Sequence, residues 1–562
     1  MTHSVLQGFS GAPFNLSGDQ IAWVATTFAA LDQRTKASLV MSSITMGPDL
    51  DFDAIAACPP GFLTRMAAGD AAHEQAQLAA LNARLTVPMA YNTDLEGSTT
   101  TPKGATPSPV PLALAASGDP ALTRRATEAM ALEARQFGLR WSFTPCIDLN
   151  LAFRSSIVGS RSYGSDVDTV LAHTVATTQG LQAAGVAACA KHWPGEGMDQ
   201  RDQHLATTVN TMSFAQWEAS FGKLYRAQIE AGVLSVMAAH IALPSYMHEK
   251  AGITGPDAYL PGSLNRHLNE DLLRGHLGFN GLIVSDATAM AGITGLRDRS
   301  DLVIDVLNAG CDVIVGTYDL PADRDFILAG LADGRLSAAR LDEAILRQLA
   351  FKAALGLHRA ADIPSVSPEQ SSAITQTLNH APTLVKTCEG LFPVTPARYP
   401  TIYLVCRGRG FPPFSPTRPL PFEFADKLRA AGFTVVEHSW GTPVEPGEAD
   451  LLLYAYAEEC LLVRGTITND WGGMTGQFQQ AMKRFWNKTP TLMISFGWPY
   501  HLYEAPGVWG YINAYMAHPA MQDIVIEALQ NGTFKGQSPV DALAGLPADY
   551  YAMIPPGSVV NS

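Results

Sequence analysis

The segment Lys191-His192-Trp193-Pro194-Gly195-Glu196-Gly197 is followed, after four residues, by Asp202-Gln203-His204, so imidazole, ammonium and carboxylate groups share one short stretch. In Asp-x-His the carboxylate can hold one ring nitrogen and leave the other free to trade a proton, which is general acid–base chemistry. Pro-Gly and a second Gly force an irregular path that fixes Asp202 and His204 relative to Lys191 and His192. A further carboxylate stands in Gly281-Leu-Ile-Val-Ser-Asp286-Ala-Thr-Ala-Met290, directly behind an apolar run. On its own, an Asp there reads as a helix N-cap.

These groups need strands to present them. The apolar run Val186 to Ala190 reads as a buried strand whose end opens into the Lys191 loop. Strand-like runs recur at Lys36–Met46, Thr86–Asn92, Trp141–Ile147, Leu234–Ala239, Gly281–Val284 and Asp312–Val315, alternating with helical stretches such as Asp19–Arg34, Ala71–Arg84, Leu122–Phe137 and Thr169–Ala184. That alternation predicts a parallel sheet with helical crossovers, as a closed barrel or an open doubly wound sheet. Polar residues decide between them. Asp94, the pair Asp148 and Arg161, His192, His240 and Asp286 follow five different strands, which is how a (β/α)8 TIM-type barrel builds a site. An open sheet gathers such residues at one switch point.

The barrel is expected over residues 1–357, closed by a helix around Ala338–Leu357, with a looser linker over 358–395. A second alternation from Thr401 (Ile402–Val405, Thr434–Val436, Leu451–Tyr454, Thr491–Ser495, with helices at Phe422–Ala431, Thr475–Trp486 and Met521–Leu529) predicts a smaller three-layer α/β/α sandwich over 396–562.

At 562 residues, two domains are the natural division. A formal net charge of -14 argues against nucleic acid or an anionic membrane as partner and suits a neutral small molecule. Seven scattered cysteines without a Cys-x-x-Cys pair suit free thiols in a reducing compartment. Neither a secretory signal nor a membrane-spanning run is visible, so the expectation is a cytoplasmic monomer or homodimer.

The Lys-His-aromatic-Pro-Gly-x-Gly string with its Asp-x-His resembles the signature of family 3 glycoside hydrolases, in their β-N-acetylglucosaminidase branch; Glu196 departs from it, where the best-known members carry a second His. Ser285-Asp286 with Met290 four residues on is similar to the family's nucleophile strand. The resemblance implies a retaining glycosidase without cofactor or metal, acting on a small carbohydrate: Asp286 as nucleophile, His204 oriented by Asp202 as acid/base, and Asp94, Arg161, Lys191, His192 and His240 as substrate-binding residues. Trp193 is the aromatic chosen to stack on the sugar.

Two rivals use the same residues. His192, Glu196, Asp199, Asp202 and His204 could ligate a metal, although they lie in one loop without a His-x-His or His-Glu-x-x-His motif. A phosphorylase would share fold and site, with phosphate in place of water; a binding protein on a decayed barrel would not keep Asp202, His204 and Asp286 together.

Overall fold

The computed structural model describes residues 2–65, 69–359, 362–408, 422–460, 462–555 and 557–561. Eight parallel strands alternate with helices: β1 (Met41–Thr45), β2 (Phe62–Arg65), β3 (Tyr91–Thr93), β4 (Leu139–Ser142), β5 (Cys189–Trp193), β6 (Ser235–Ala238), β7 (Leu282–Ala287) and β8 (Val313–Thr317). They pair in the order β4-β3-β2-β1-β8-β7-β6-β5. The gap between β4 and β5 is closed by backbone hydrogen bonds from Ser142 N–H to Ala187 O (2.9 Å) and from Cys189 N–H to Thr144 O (2.8 Å). The result is a (β/α)8 barrel whose strand C-termini face one way.

Three elements differ from the sequence reading in instructive ways. The stretch Lys36–Met46 splits into a helix, Gln33–Leu39, and β1, because the Asp32 side chain caps the Thr35 N–H and starts a helix early. The strand β2 has no counterpart in the sequence reading: it is four residues long and ends in Arg65, a charged residue buried by its bidentate pair with Glu74 (2.8 Å each). In place of one helix over Thr475–Trp486 there are Trp471–Thr475 and Phe478–Ala481, broken at Gly476, whose φ of +66° lies in the left-handed region.

The second domain is built on a mixed sheet of β9 (Thr383–Cys388), β10 (Thr401–Gly408), β11 (Thr434–Glu437), β12 (Leu451–Ala457), β13 (Thr491–Ser495), β14 (Gly510–Asn513) and β15 (Ser558–Val560). Its order is β11-β10-β12-β13-β14-β9-β15, with β9 antiparallel to both neighbours. Thus the stretch read as a linker contains structure: a helix, Pro368–His380, started by the Ser367–Gln370 capping box and packed on the barrel helix Pro120–Gln136, and then β9 inside the second sheet. Each domain has its own apolar core. Among the described residues no helix is long and apolar enough to cross a membrane.

Candidate active site

The strand β5 runs through Trp193, so Lys191 and His192 are strand residues rather than the start of a loop. The buried Lys191 Nζ donates to Asp94 Oδ1 at 2.5 Å and lies 2.7 Å from Glu96 Oε1, both carried by the segment after β3. Glu96 in turn accepts two bonds from Arg161, Nε to Oε2 at 2.8 Å and Nη2 to Oε1 at 3.1 Å. Burial by itself would raise the Glu96 carboxyl, but the Arg161 and Lys191 cations outweigh it and hold it well below the ordinary value. Burial likewise opposes the Lys191 ammonium, and Asp94 and Glu96 more than compensate. All stay charged. A buried cation–anion array of this kind is pre-set to bind hydroxyl groups that would otherwise be well solvated.

His192 is held by a residue from the segment after β4. Its Nδ1 is 2.6 Å from Asp148 Oδ2, while Asp148 Oδ1 accepts the backbone N–H groups of His192 (3.1 Å) and Glu196 (2.9 Å). That fixes the ring's donor on Asp148 and leaves Nε2 for a ligand.

The loop after β5 packs flush on the β4 side. Gly197 has φ +117°, and a Cβ there would fall 1.7 Å from Leu149 O. Farther along, one Asp202 oxygen, Oδ1, accepts both the backbone N–H of His204 (2.8 Å) and its ring Nδ1–H (2.6 Å). The first bond locks the turn and the second puts a ring proton on Nδ1, so Nε2 is the nitrogen left to exchange a proton. The Asp202 side chain is fully buried and that of His204 is 13% exposed, so the dyad has one open end. Burial would raise the Asp202 carboxyl; the His204 contacts and the Val463 N–H on Oδ2 (2.8 Å) hold it low.

Asp286 lies near the end of β7, 8% exposed. Its Oδ1 accepts the Ala287 N–H at 2.7 Å, whereas Oδ2 is buried with no hydrogen-bond partner. Burial would raise its carboxyl, but the surrounding imidazoles of His192, His240 and His204 and the Ala287 N–H hold it low, as an anion. An ionised oxygen stripped of donors is a ready nucleophile.

Two of the expected substrate-binding residues, His240 and Trp193, are engaged within the protein. His240 is fully buried with both ring nitrogens taken: Nε2 lies 3.0 Å from the Ala287 carbonyl and Nδ1 lies 2.9 Å from Ser263 Oγ. These contacts tie the end of β6 to the end of β7, beside Asp286. Trp193 is also fully buried, edge-on to Trp217 (5.7 Å) and Tyr225 (4.7 Å). It faces the helical layer, where an indole gains more from packing than a loop position offers.

Glu96 and Asp148 were missed as site residues. Glu96 stands two positions after Asp94, and Asp148 was already visible as a strand-end polar group. The loop does not gather as a metal centre, since Asp199 is turned to Arg201 and the Val209 N–H. Cys146, Asp148 and His192 do place ligand atoms within 4.8 Å of one another. However, burial and the Glu96 charge push the Cys146 thiol well up, and it donates to Glu96 Oε1 at 3.3 Å. A protonated thiol and an imidazole nitrogen already spent on Asp148 make a poor donor set.

Glu196 is buried and accepts from Gln203 Nε2 (3.1 Å) and Thr208 Oγ (3.4 Å). Burial first, and then the charges of Asp148 and Asp202, push its carboxyl well above the ordinary 4.5, so it is a neutral acid. The folded chain therefore keeps a proton that the unfolded chain gives up above pH 4.5, and this residue's contribution to stability falls as pH rises. Glu196→Gln should keep kcat/KM within about threefold at pH 7. In thermal melts its stability relative to wild type should climb with pH, by at most about 1.4 kcal/mol per unit. A relative stability of the variant that stays flat or falls as pH rises would mean that Glu196 is ionised.

The chain is similar to known proteins in sequence and in fold. The family described as "Glycosyl hydrolase family 3 N terminal domain" matches residues 58–350. A β-N-acetylglucosaminidase/β-glucosidase of Cellulomonas fimi is 38% identical over 95% of this chain and 98% of its own. Among solved structures, a β-glucoside phosphorylase is similar at TM-score 0.88 and 30% identity, covering 97% of this chain and 100% of that one. A β-N-acetylglucosaminidase from Paenibacillus shares the fold at TM-score 0.80 and 23% identity, over 92% of this chain and 100% of its own. With a barrel that carries its charged residues at the strand ends and a relative matched over nearly its whole length, the chain belongs to glycoside hydrolase family 3 and is a glycosidase acting on β-linked sugars.

Proposed function

We propose that this glycosidase is exo-acting and retaining, that it releases terminal β-linked N-acetylglucosamine, and that it tolerates β-glucosides. The observation that carries the reading is the pairing of Asp286, with its bare Oδ2, and the Asp202–His204 dyad, with its open Nε2. Asp286 Oδ2 attacks the anomeric carbon while His204 gives its Nε2 proton to the leaving oxygen, producing a glycosyl ester on Asp286. His204, now neutral, takes a proton from water as that water attacks the same carbon from the vacated face. Two inversions give net retention. Asp202 keeps the ring oriented and offsets the imidazolium charge.

Lys191, Asp94, Arg161 and Glu96 are the groups for the sugar hydroxyls, with His192 presented by Asp148. The preference for N-acetylglucosamine rests on the Asp-x-His dyad that marks that branch, and on the activity named for the Cellulomonas fimi relative.

Likeness to a β-glucoside phosphorylase favours a second reading on the same residues. An imidazole base repels an incoming phosphate less than a carboxylate base does. Incubation with p-nitrophenyl β-N-acetylglucosaminide and β-glucoside, with and without inorganic phosphate, separates the two. Free sugar formed equally in both conditions supports the hydrolase, and sugar 1-phosphate formed only with phosphate supports the phosphorylase. Turnover of neither substrate would sink both.

A further inference from the structure

Asp202 has no solvent to satisfy its second oxygen. Its side chain is fully buried and Oδ1 is spent twice on His204, so Oδ2 must find a donor inside the protein. The donor comes from the other domain: the Val463 backbone N–H, at 2.8 Å. Val463 holds φ +61°, a costly conformation for a β-branched residue that persists only where the surroundings enforce it.

The surroundings are residues 458–460 and 462–465, a strap that follows β12 and meets the barrel mouth. Glu459 Oε1 accepts the Ser98 hydroxyl at 2.6 Å and the Ala517 N–H at 2.8 Å, tying the strap to the segment that carries Asp94 and Glu96. The Cys460 N–H donates to Ser160 Oγ at 3.4 Å, and its sulfur fills the space beside Gly159, where a Cβ would fall 1.9 Å away. That turn carries Arg161. Gly465 O accepts the Ser156 hydroxyl at 2.9 Å.

We infer that the second domain completes the acid–base dyad: the strap places the Val463 N–H on Asp202 Oδ2, which keeps Oδ1 on His204 and the imidazole aimed at the leaving oxygen. Val463 is a positioning residue acting through its main chain. Without its N–H, Asp202 is left with a buried bare oxygen and turns towards other donors, releasing the ring. The inference rests on the reading of His204 as the acid.

The test replaces the Val463 amide with an ester in the full-length chain, by incorporating the α-hydroxy analogue of valine, which puts an oxygen in place of the N–H and keeps the side chain. The readout is kcat/KM on two N-acetylglucosaminides. The methyl glycoside needs a proton on its leaving oxygen, and the 2,4-dinitrophenyl glycoside does not. A fall of about 10- to 100-fold on the first, with the second within about twofold, is expected, because general acid catalysis alone is at stake. Ser98→Ala, which loosens the strap at its root, should give the same selectivity with a smaller fall, and it decides the matter if thermal melting finds the ester variant unfolded. An equal fall on both substrates, or none, overturns the inference. His204→Ala is measured alongside. If it spares the methyl glycoside, the acid assignment itself is wrong; if it shows the selective loss while the strap variants do not, only the strap's role is lost.

Discussion

Asp286→Ala should lower release of 2,4-dinitrophenol from the activated β-N-acetylglucosaminide by about 10⁴-fold or more, the scale at which removal of a nucleophile acts. The variant should still fold, because the carboxylate's one strong bond is to the neighbouring Ala287 N–H and its other oxygen has none. The cavity it leaves suits a small anion: the imidazoles of His192, His240 and His204 that stabilise Asp286 remain in place. Sodium azide should therefore restore turnover. Because azide enters from the nucleophile's face in a single displacement, the product should be the α-glycosyl azide, whereas wild type should release the β-anomer of the sugar. Proton NMR of the anomeric signals separates these outcomes. Residual activity within tenfold of wild type, or a β-azide from the variant, would mean that another group attacks the sugar.

What could be read from the chain and what could not divides along physical lines. The barrel was legible because each buried parallel strand is an apolar run and each crossover a helical rhythm, so the periodicity repeats unit after unit. β2 escaped because Arg65 breaks the apolar run, and its neutralising partner Glu74 is apparent only in space. The dyad was legible because Asp202 and His204 are joined by a local turn: the bond that orients the ring spans two residues. Asp148 and Glu96 act through partners 44 and 65 residues away, and Val463 reaches Asp202 across 261. Nothing local marks such pairs. Trp193 and His240 are the opposite case, since both side chains are engaged inside the protein. Residue type and strand-end position suggested contact with a ligand, but side-chain direction and saturation of the ring nitrogens decide it, and those belong to the packing.

Glu96 is where the missed part of the site has its largest consequence. It is the shared anion of Arg161 and Lys191, and the three are nearly excluded from water. Glu96→Ala leaves two buried cations with Asp94, which bonds Lys191, as the remaining carboxylate of the array. Removing one member of such a group costs about 3–5 kcal/mol, because the desolvation of the others is no longer offset. Thermal or urea unfolding should register that loss. Glu96→Gln keeps the shape but removes the charge; about half the penalty is expected, since one amide oxygen can still accept from the fork.

The pH dependence follows from the depressed Glu96 carboxyl. Its contribution to stability is complete above the unfolded value near 4.5 and drains away as pH falls towards the lower folded value. The gap between wild type and Glu96→Gln should therefore be constant from neutrality down to about pH 5 and close at lower pH. In catalysis the effect lies with the sugar rather than the proton. Misplaced Arg161 and Lys191 should lower kcat/KM by about 100-fold on methyl and dinitrophenyl glycosides alike, in contrast to the leaving-group selectivity expected from the dyad. A Glu96→Gln enzyme with unchanged melting behaviour and a loss confined to the methyl glycoside would mean that Glu96 belongs to the proton-transfer machinery and that the sugar is held elsewhere.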